Sequence, residues 1–171
     1  MVLRKQKQFN GGATMKSYTD LEQSKKLAEI LPLESADMAY WKKSYRPNDY
    51  AIMAHHTKEL QEGFEAKGME YITCWSLAAL LDVLPYTIKL SHDTIDVNGN
   101  PAYKNESYKF SINRCGLFGD KWNIQYYGKH QRQLGKRYKE LYIDLFLTEN
   151  YDKLIDACYE MILKLHEQKV L

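Results

Sequence analysis

Between Lys129 and Lys139 the chain reads KHQRQLGKRYK, with Lys129, Arg132, Lys136, Arg137 and Lys139 and no acid. His130 adds a titratable ring, and Tyr126, Tyr127 and Tyr138 flank or join the run. Cations interleaved with aromatics can hold phosphates while the rings stack on bases. Gly128 and Gly135 suggest a flexible loop between two strands, so the plain alternative is a solvated hairpin loop. The residues expected to bind a ligand are Lys129, Arg132, Lys136, Arg137, Tyr126, Tyr138 and Trp122. The cations would hold an anion and the rings would stack; Trp41 and Trp75 are further candidate anchors.

Other reactive residue types form weaker patterns. His55 and His56 are adjacent, and neighbours in an extended segment face opposite ways, so they do not form a metal pair. His92, His130 and His166 show no Cys-x-x-Cys or His-x-x-x-His spacing, and no metal site is expected. Asp96-Val97-Asn98-Gly99-Asn100 opens like a calcium loop. Its glycine falls fourth rather than sixth, Pro101 takes the sixth place, and the twelfth lacks a glutamate. A hairpin turn explains it better.

No phosphate-binding glycine loop, nucleophile elbow or dinucleotide fingerprint occurs. Asp96, Glu106 and Lys109 evoke a metal-dependent nuclease, but the glutamate–lysine spacing is one residue too long. Cys74 would need a distant histidine brought to it by folding. Neither a catalytic residue nor a cofactor is assigned.

The elements that must position these groups follow from periodicity. Thr19, with Glu22 three residues on, predicts a capping box for a first helix carrying Leu27, Ile30 and Leu31, ended by Pro32. Met38–Tyr45 and Tyr50–Ala54 read as strands around a turn at Arg46-Pro47-Asn48-Asp49. Thr57 can cap a short helix with Leu60 and Phe64 on one face and Gly68 as its stop. A short strand follows at Tyr71–Thr73. Ser76–Leu84 places four leucines at helical spacing, closed by Pro85.

Beyond Pro85 the period becomes two: Tyr86, Ile88, Leu90; then Tyr108, Phe110, Ile112; then Trp122, Ile124, Tyr126; then Leu141, Ile143, Leu145, Leu147. Each strand has one apolar and one polar face. Asn150 can cap a last helix whose stripe is Leu154, Ala157, Cys158, Met161, Ile162 and Leu165. The expected fold is α+β: an antiparallel sheet of about four to six strands packed by two or three helices, the long C-terminal helix lying across it.

Length and composition agree. A chain of 171 residues with 44% hydrophobic and 27% charged residues has the size of one domain and enough apolar surface for one core. Residues 1–14 are polar, basic and aperiodic, and are expected to be a disordered tail before a single domain at 15–171, with Met15 an alternative start. The net charge of +2 includes Arg4, Lys5 and Lys7, so the domain carries +2 − 3 = −1. A near-neutral domain has no global field for non-specific nucleic-acid binding. The composition includes 14 tyrosines against 5 phenylalanines. They fit amphipathic strand faces or, more sharply, a base-stacking surface. Cys74, Cys115 and Cys158, odd in number and without a signal peptide or membrane span, point to reduced thiols in a cytoplasm.

Three stretches together, KSYTDLEQSKKLAEILPLESADM (16–38), CWSLAALLDVLP (74–85) and IDACYEMILKLHEQKVL (155–171), resemble an uncharacterised family of small proteins from phages, prophages and mobile elements of gut Bacteroidetes. The resemblance implies a shared fold and origin, and no site residue. It places the protein in the cytoplasm of a bacterial host, where a phage accessory role is the expectation. The order of helix, strands and helix from Ser76 to His166 is also similar to double-stranded RNA-binding domains. Those grip phosphates with lysines opening the last helix, whereas this helix opens Asn150-Tyr151-Asp152-Lys153.

Three functions remain open. The first is a non-enzymatic phage-type protein capturing a nucleotide or other anionic small molecule, as in counter-defence sequestration of a host nucleotide signal. The second is an interaction module that inhibits a host protein or forms a homo-oligomer. The third is a small hydrolase or nuclease.

Overall fold

The computed structural model describes residues 16–42, 49–89, 98, 107–115, 120–134 and 137–171, with the backbone alone at 89, 115, 129–134 and 137–143. The expected tail at 1–14, the turn at 46–48 and most of the 90–106 connection lie outside the described residues. Asn98 is in a turn.

Helices occupy α1 (Leu21–Ala28), α2 (Lys58–Glu65), α3 (Leu77–Val83) and α4 (Leu154–Glu167), with a 3₁₀ turn at Leu33–Ser35. Strands are β1 (Met38–Lys42), β2 (Tyr50–Met53), β3 (Tyr71–Cys74), β4 (Thr87–Lys89), β5 (Ser107–Cys115), β6 (Lys121–Leu134) and β7 (Arg137–Leu147). The class is α+β, all strand pairs are antiparallel, and α4 packs on the sheet. The strands divide between a three-stranded sheet ordered β2-β1-β3 and a four-stranded sheet ordered β4-β5-β6-β7.

Capping chemistry sets most helix ends, with two departures from expectation. The α1 cap is Asp20, not Thr19: its carboxylate accepts from the Gln23 N–H at 2.9 Å, and the Gln23 side chain accepts from the Asp20 N–H. Thr19 is drawn inward instead. Its hydroxyl bonds Ser24 at 2.7 Å and accepts from the Trp75 N–H, while its own N–H donates to the Trp75 carbonyl. Likewise α4 starts at Lys153 without a side-chain cap. Asn150 is held by the sheet, accepting from Asn123 Nδ2 at 3.0 Å, and Tyr151 pairs backbone-to-backbone with Trp122. The caps at Thr57 and Ser76 form as the sequence implies. Gly68 closes α2 at φ +66°, a left-handed conformation glycine adopts without strain.

One core joins α1, α3 and α4 to one face of the four-stranded sheet. It is built on Leu27, Trp75, Leu80, Ile124, Tyr126, Ile155, Met161 and Leu165. The Trp75 indole N–H donates to Ser35 Oγ at 2.9 Å, so this large ring is buried with its polar atom satisfied.

Two expected alternations break. Tyr86, assigned with Ile88, precedes β4 and is 74% exposed. In β7, a register shift takes Tyr126 to Phe146 but Tyr127 to Asp144, leaving Leu145 as the extra residue of a bulge. Leu145 and Phe146 are therefore both buried, and Leu147, expected on the apolar face, is 36% exposed.

Candidate ligand-binding site

Strand β5 pairs with β6 only as far as Tyr127, opposite Lys109. Beyond it, among the described residues, β6 and β7 continue as a pair for seven positions, from Gly128↔Ile143 to Leu134↔Arg137. At about 3.4 Å per residue this two-stranded arm is roughly 24 Å long. The basic run is thus not the flexible loop its glycines suggested: it is mostly strand. Gly128 is buried for a packing reason, because a Cβ there would lie 3.1 Å from two ring carbons of Tyr108. Arg132 pairs with Lys139 and Leu134 with Arg137, giving three cations one parity in the ladder. Lys129, opposite Tyr142, has the other parity. Lys136 and the side chains of Lys129, Arg132, Arg137 and Tyr138 lie outside the described residues.

Tyr126 and Trp122 do not join these cations. Tyr126 is 0% exposed, its hydroxyl donates to the Pro85 carbonyl at 2.6 Å, and burial raises its pKa. It is a core residue and cannot stack on a ligand. Trp122 is half-buried near the far end of β6, ten positions from Arg132, or about 33 Å along the strand. Its ring already carries the Arg114 guanidinium 5.5 Å from the centroid. Of the other candidate anchors, Trp75 is sealed in the core and Trp41 packs on Phe64.

The second face of the four-stranded sheet was not foreseen as a site. Opposite the core, the strand positions are Lys109, Ser111 and Asn113 on β5 and Lys121, Asn123, Gln125 and Tyr127 on β6, paired in register. None belongs to the core or its packed neighbours. A hydrogen-bonded chain crosses this face: Ser111 Oγ donates to Asn113, Asn113 to Asn123 at 3.1 Å, and Asn123 to Asn150. The available signal was asparagine inside otherwise alternating strands, where that residue type is depleted.

Reactive groups elsewhere are engaged structurally. Cys74 is buried against Thr19, and burial raises its thiol pKa, so it is poorly suited to act as a nucleophile. His56 Nδ1 lies 2.9 Å from the Tyr71 hydroxyl, and burial, then the neighbouring His55, lowers its pKa. It lines a groove of about 420 Å³ with Leu33, Glu34, Thr57 and Gln61. Among the described residues no three His, Cys, Asp or Glu side chains are grouped to hold a metal, and no helix is long and apolar enough to cross a membrane.

Lys16 ties the start of α1 to the first turn of α4. Its ammonium bonds Asp20, Gln23 and Asp156 at 2.9, 2.6 and 2.7 Å. Burial alone would lower its pKa, but the bonds to Asp156 and Asp20 raise it.

Compared with protein-family models, curated proteins and solved structures, the chain matches none.

Proposed function

We propose that this chain is a non-enzymatic binding protein that captures a phosphate-bearing ligand, a nucleotide or a strand of nucleotides, on the β6–β7 arm. Charge segregation carries this reading. Residues 128–143 hold five cations and one acid, Glu140, a net of +4. With +3 in the first fourteen residues, the remainder carries +2 − 4 − 3 = −5. Against a remainder of that sign the arm is a concentrated patch of positive charge, so its field steers a polyanion as well as holds it. In the phage or mobile-element setting that the resemblance implies, capture of a host nucleotide signal in the bacterial cytoplasm would serve counter-defence.

The test is a thermal-shift panel of mono-, di- and cyclic dinucleotides, ADP-ribose derivatives and short oligonucleotides. A ligand at a hundred times its Kd adds about 2.7 kcal/mol. That is a rise of roughly 5–10 °C for a chain of this size. Replacing Arg132, Lys136 and Arg137 together with alanine should abolish the shift and leave the ligand-free Tm unchanged. Unchanged affinity in that variant would sink the assignment.

A second reading has one observation in its favour. Among the described residues β7, 11 residues long, is the outer strand of its sheet, and a strand edge is a template for another strand. A homo-oligomer or a host-protein complex could form there. Sedimentation equilibrium separates the two outcomes for the homo-oligomer: a concentration-dependent dimer supports edge pairing, and a monomer throughout removes it.

A further inference from the structure

We propose that the protein has a second, cationic ligand: an aliphatic polyamine, seated in the acid-walled groove between the 3₁₀ turn at Leu33–Ser35 and α2. This site is separate from the arm and independent of what the arm binds.

The groove of about 420 Å³ is within the size range of small-molecule sites. Its walls come from residues 33–36 and 56–65. The first stretch leads into β1 and the second follows β2. The groove therefore lies at the end of the hairpin where Ala39 pairs with Met53, away from the turn end where Lys42 pairs with Tyr50. Leu33 and Ala36 supply apolar lining, and Leu33 is a large apolar side chain left 36% exposed. Glu34 stands on the 3₁₀ side. Glu62 and Glu65, three residues apart and so on one face of α2, stand on the other.

These carboxylates have capacity to spare. Among the described residues Glu34 has no hydrogen bond or ion pair. Glu65 accepts one hydrogen bond, from Gln61 at 2.9 Å. Glu62 meets Lys58 only at 4.0 Å with both side chains largely exposed, a contact of little strength. Lys58 is the one lysine or arginine of the lining, so the groove carries 1 − 3 = −2. His56 adds no charge at pH 7, because burial, then His55, holds its pKa below the ordinary value.

The acidic surface continues past Glu34. A neighbouring hollow of about 350 Å³ shares Glu34 and Ala36 with the groove and adds Asp37 and Asp82, with Ala79 and Val83 of α3 as apolar lining. Asp37 is occupied by the Ser76 N–H and hydroxyl, whereas Asp82 has no hydrogen bond or ion pair among the described residues. Carboxylates thus lie on both sides of Glu34, with apolar side chains among them.

This spread selects the ligand. A divalent metal needs its donors gathered on one point, and among the described residues no three acids, histidines or cysteines are so grouped. A basic peptide would bring backbone N–H and C=O groups against lining that is largely side-chain carbon, where they would lose water without finding partners. A polyamine has neither difficulty. Its ammonium groups are spaced along a hydrocarbon stem, so the charges meet separate carboxylates and the stem covers Leu33 and Ala36.

The experiment is isothermal titration calorimetry with spermidine at 150 mM salt and without nucleotide, beside Mg²⁺ and trilysine. At that ionic strength charges more than about 8 Å apart are screened, so diffuse attraction to an acidic surface is suppressed. Spermidine should bind saturably at one site, and Mg²⁺ and trilysine each at least tenfold more weakly. Glu34→Gln and Glu65→Gln should each weaken spermidine about tenfold, the loss of one charged hydrogen bond. Glu149→Gln removes the same charge from an exposed site outside the groove and should bind as the wild type does. Circular dichroism checks that each variant folds. Replacing Arg132, Lys136 and Arg137 together with alanine should leave spermidine binding intact.

No saturable binding, or Mg²⁺ or trilysine binding as tightly as spermidine, overturns the proposal. Wild-type affinity in both Glu34→Gln and Glu65→Gln, or an equal loss in Glu149→Gln, does the same. None of these results bears on the arm, whose own test is the nucleotide panel.

Discussion

On one side of the four-stranded sheet, Ile88, Tyr108, Ile124, Tyr126 and Leu145 lie buried in the core shared with α4. On the other side, neighbours one position away in sequence (Lys109, Asn123, Gln125 and Tyr127) contribute nothing to it. A period of two separates residues that build this core from residues that lie outside it. The contrast also divides the tyrosines. Tyr126 and Tyr127 are adjacent, yet one is a sealed core residue and the other faces outward with a half-buried ring.

The largest effect should come from the covered face. Ile162→Ala removes a fully buried α4 side chain and should cost about 2–5 kcal/mol, read from urea unfolding. Oligonucleotide affinity measured well below the unfolding transition should not change. A loss under 1 kcal/mol would mean that α4 is not the lid of this core.

Next is a pH dependence from the same helix. Burial pushes the Cys158 thiol from 9.0 up to about 12. The folded state therefore holds this proton more tightly than the unfolded state. The resulting stability is complete below pH 9.0 and is lost as pH rises towards about 12. Cys158→Ala should flatten that alkaline decline in Tm, and an identical decline in the variant would assign it to other groups.

The smallest effect tests the divided tyrosine pair. Tyr126→Phe keeps the ring and deletes the bond to the Pro85 carbonyl, which should cost about 1 kcal/mol by thermal melting. Ligand affinity should be untouched. A binding defect from Tyr126→Phe would blur the boundary between the faces, whereas a defect from Tyr127→Leu alone would sharpen it.

How much of this could be read from the residues depends on the range of the force involved. The stripe from Leu154 to Leu165 and the leucines before Pro85 produce α4 and α3 because helical burial is a local pattern. Residues held by distant partners were harder to place. Thr19 leaves its cap position because Trp75 and Ser24 compete for its hydroxyl, and Asn150 because Asn123 does. The β7 bulge has no signature in a run of leucines, so the outward position of Leu147 could not be anticipated. Tyr126 was different: the alternation that buries Ile124 buries it too, and its composition as a tyrosine disguised that. In the basic run, glycines suggested a loop, although Gly128 is there to admit the Tyr108 ring.

The three tryptophans have a practical consequence for measurement. Trp41 sits against Phe64 on the smaller sheet, Trp75 lies sealed at the centre, and Trp122 is at the end of β6 remote from the arm. The arm itself contains none. Intrinsic emission therefore follows the integrity of three packing regions and stays dark to events at the basic tip. A variant that loses its ligand with an unaltered spectrum has lost recognition, and one whose spectrum shifts to the red has lost its structure.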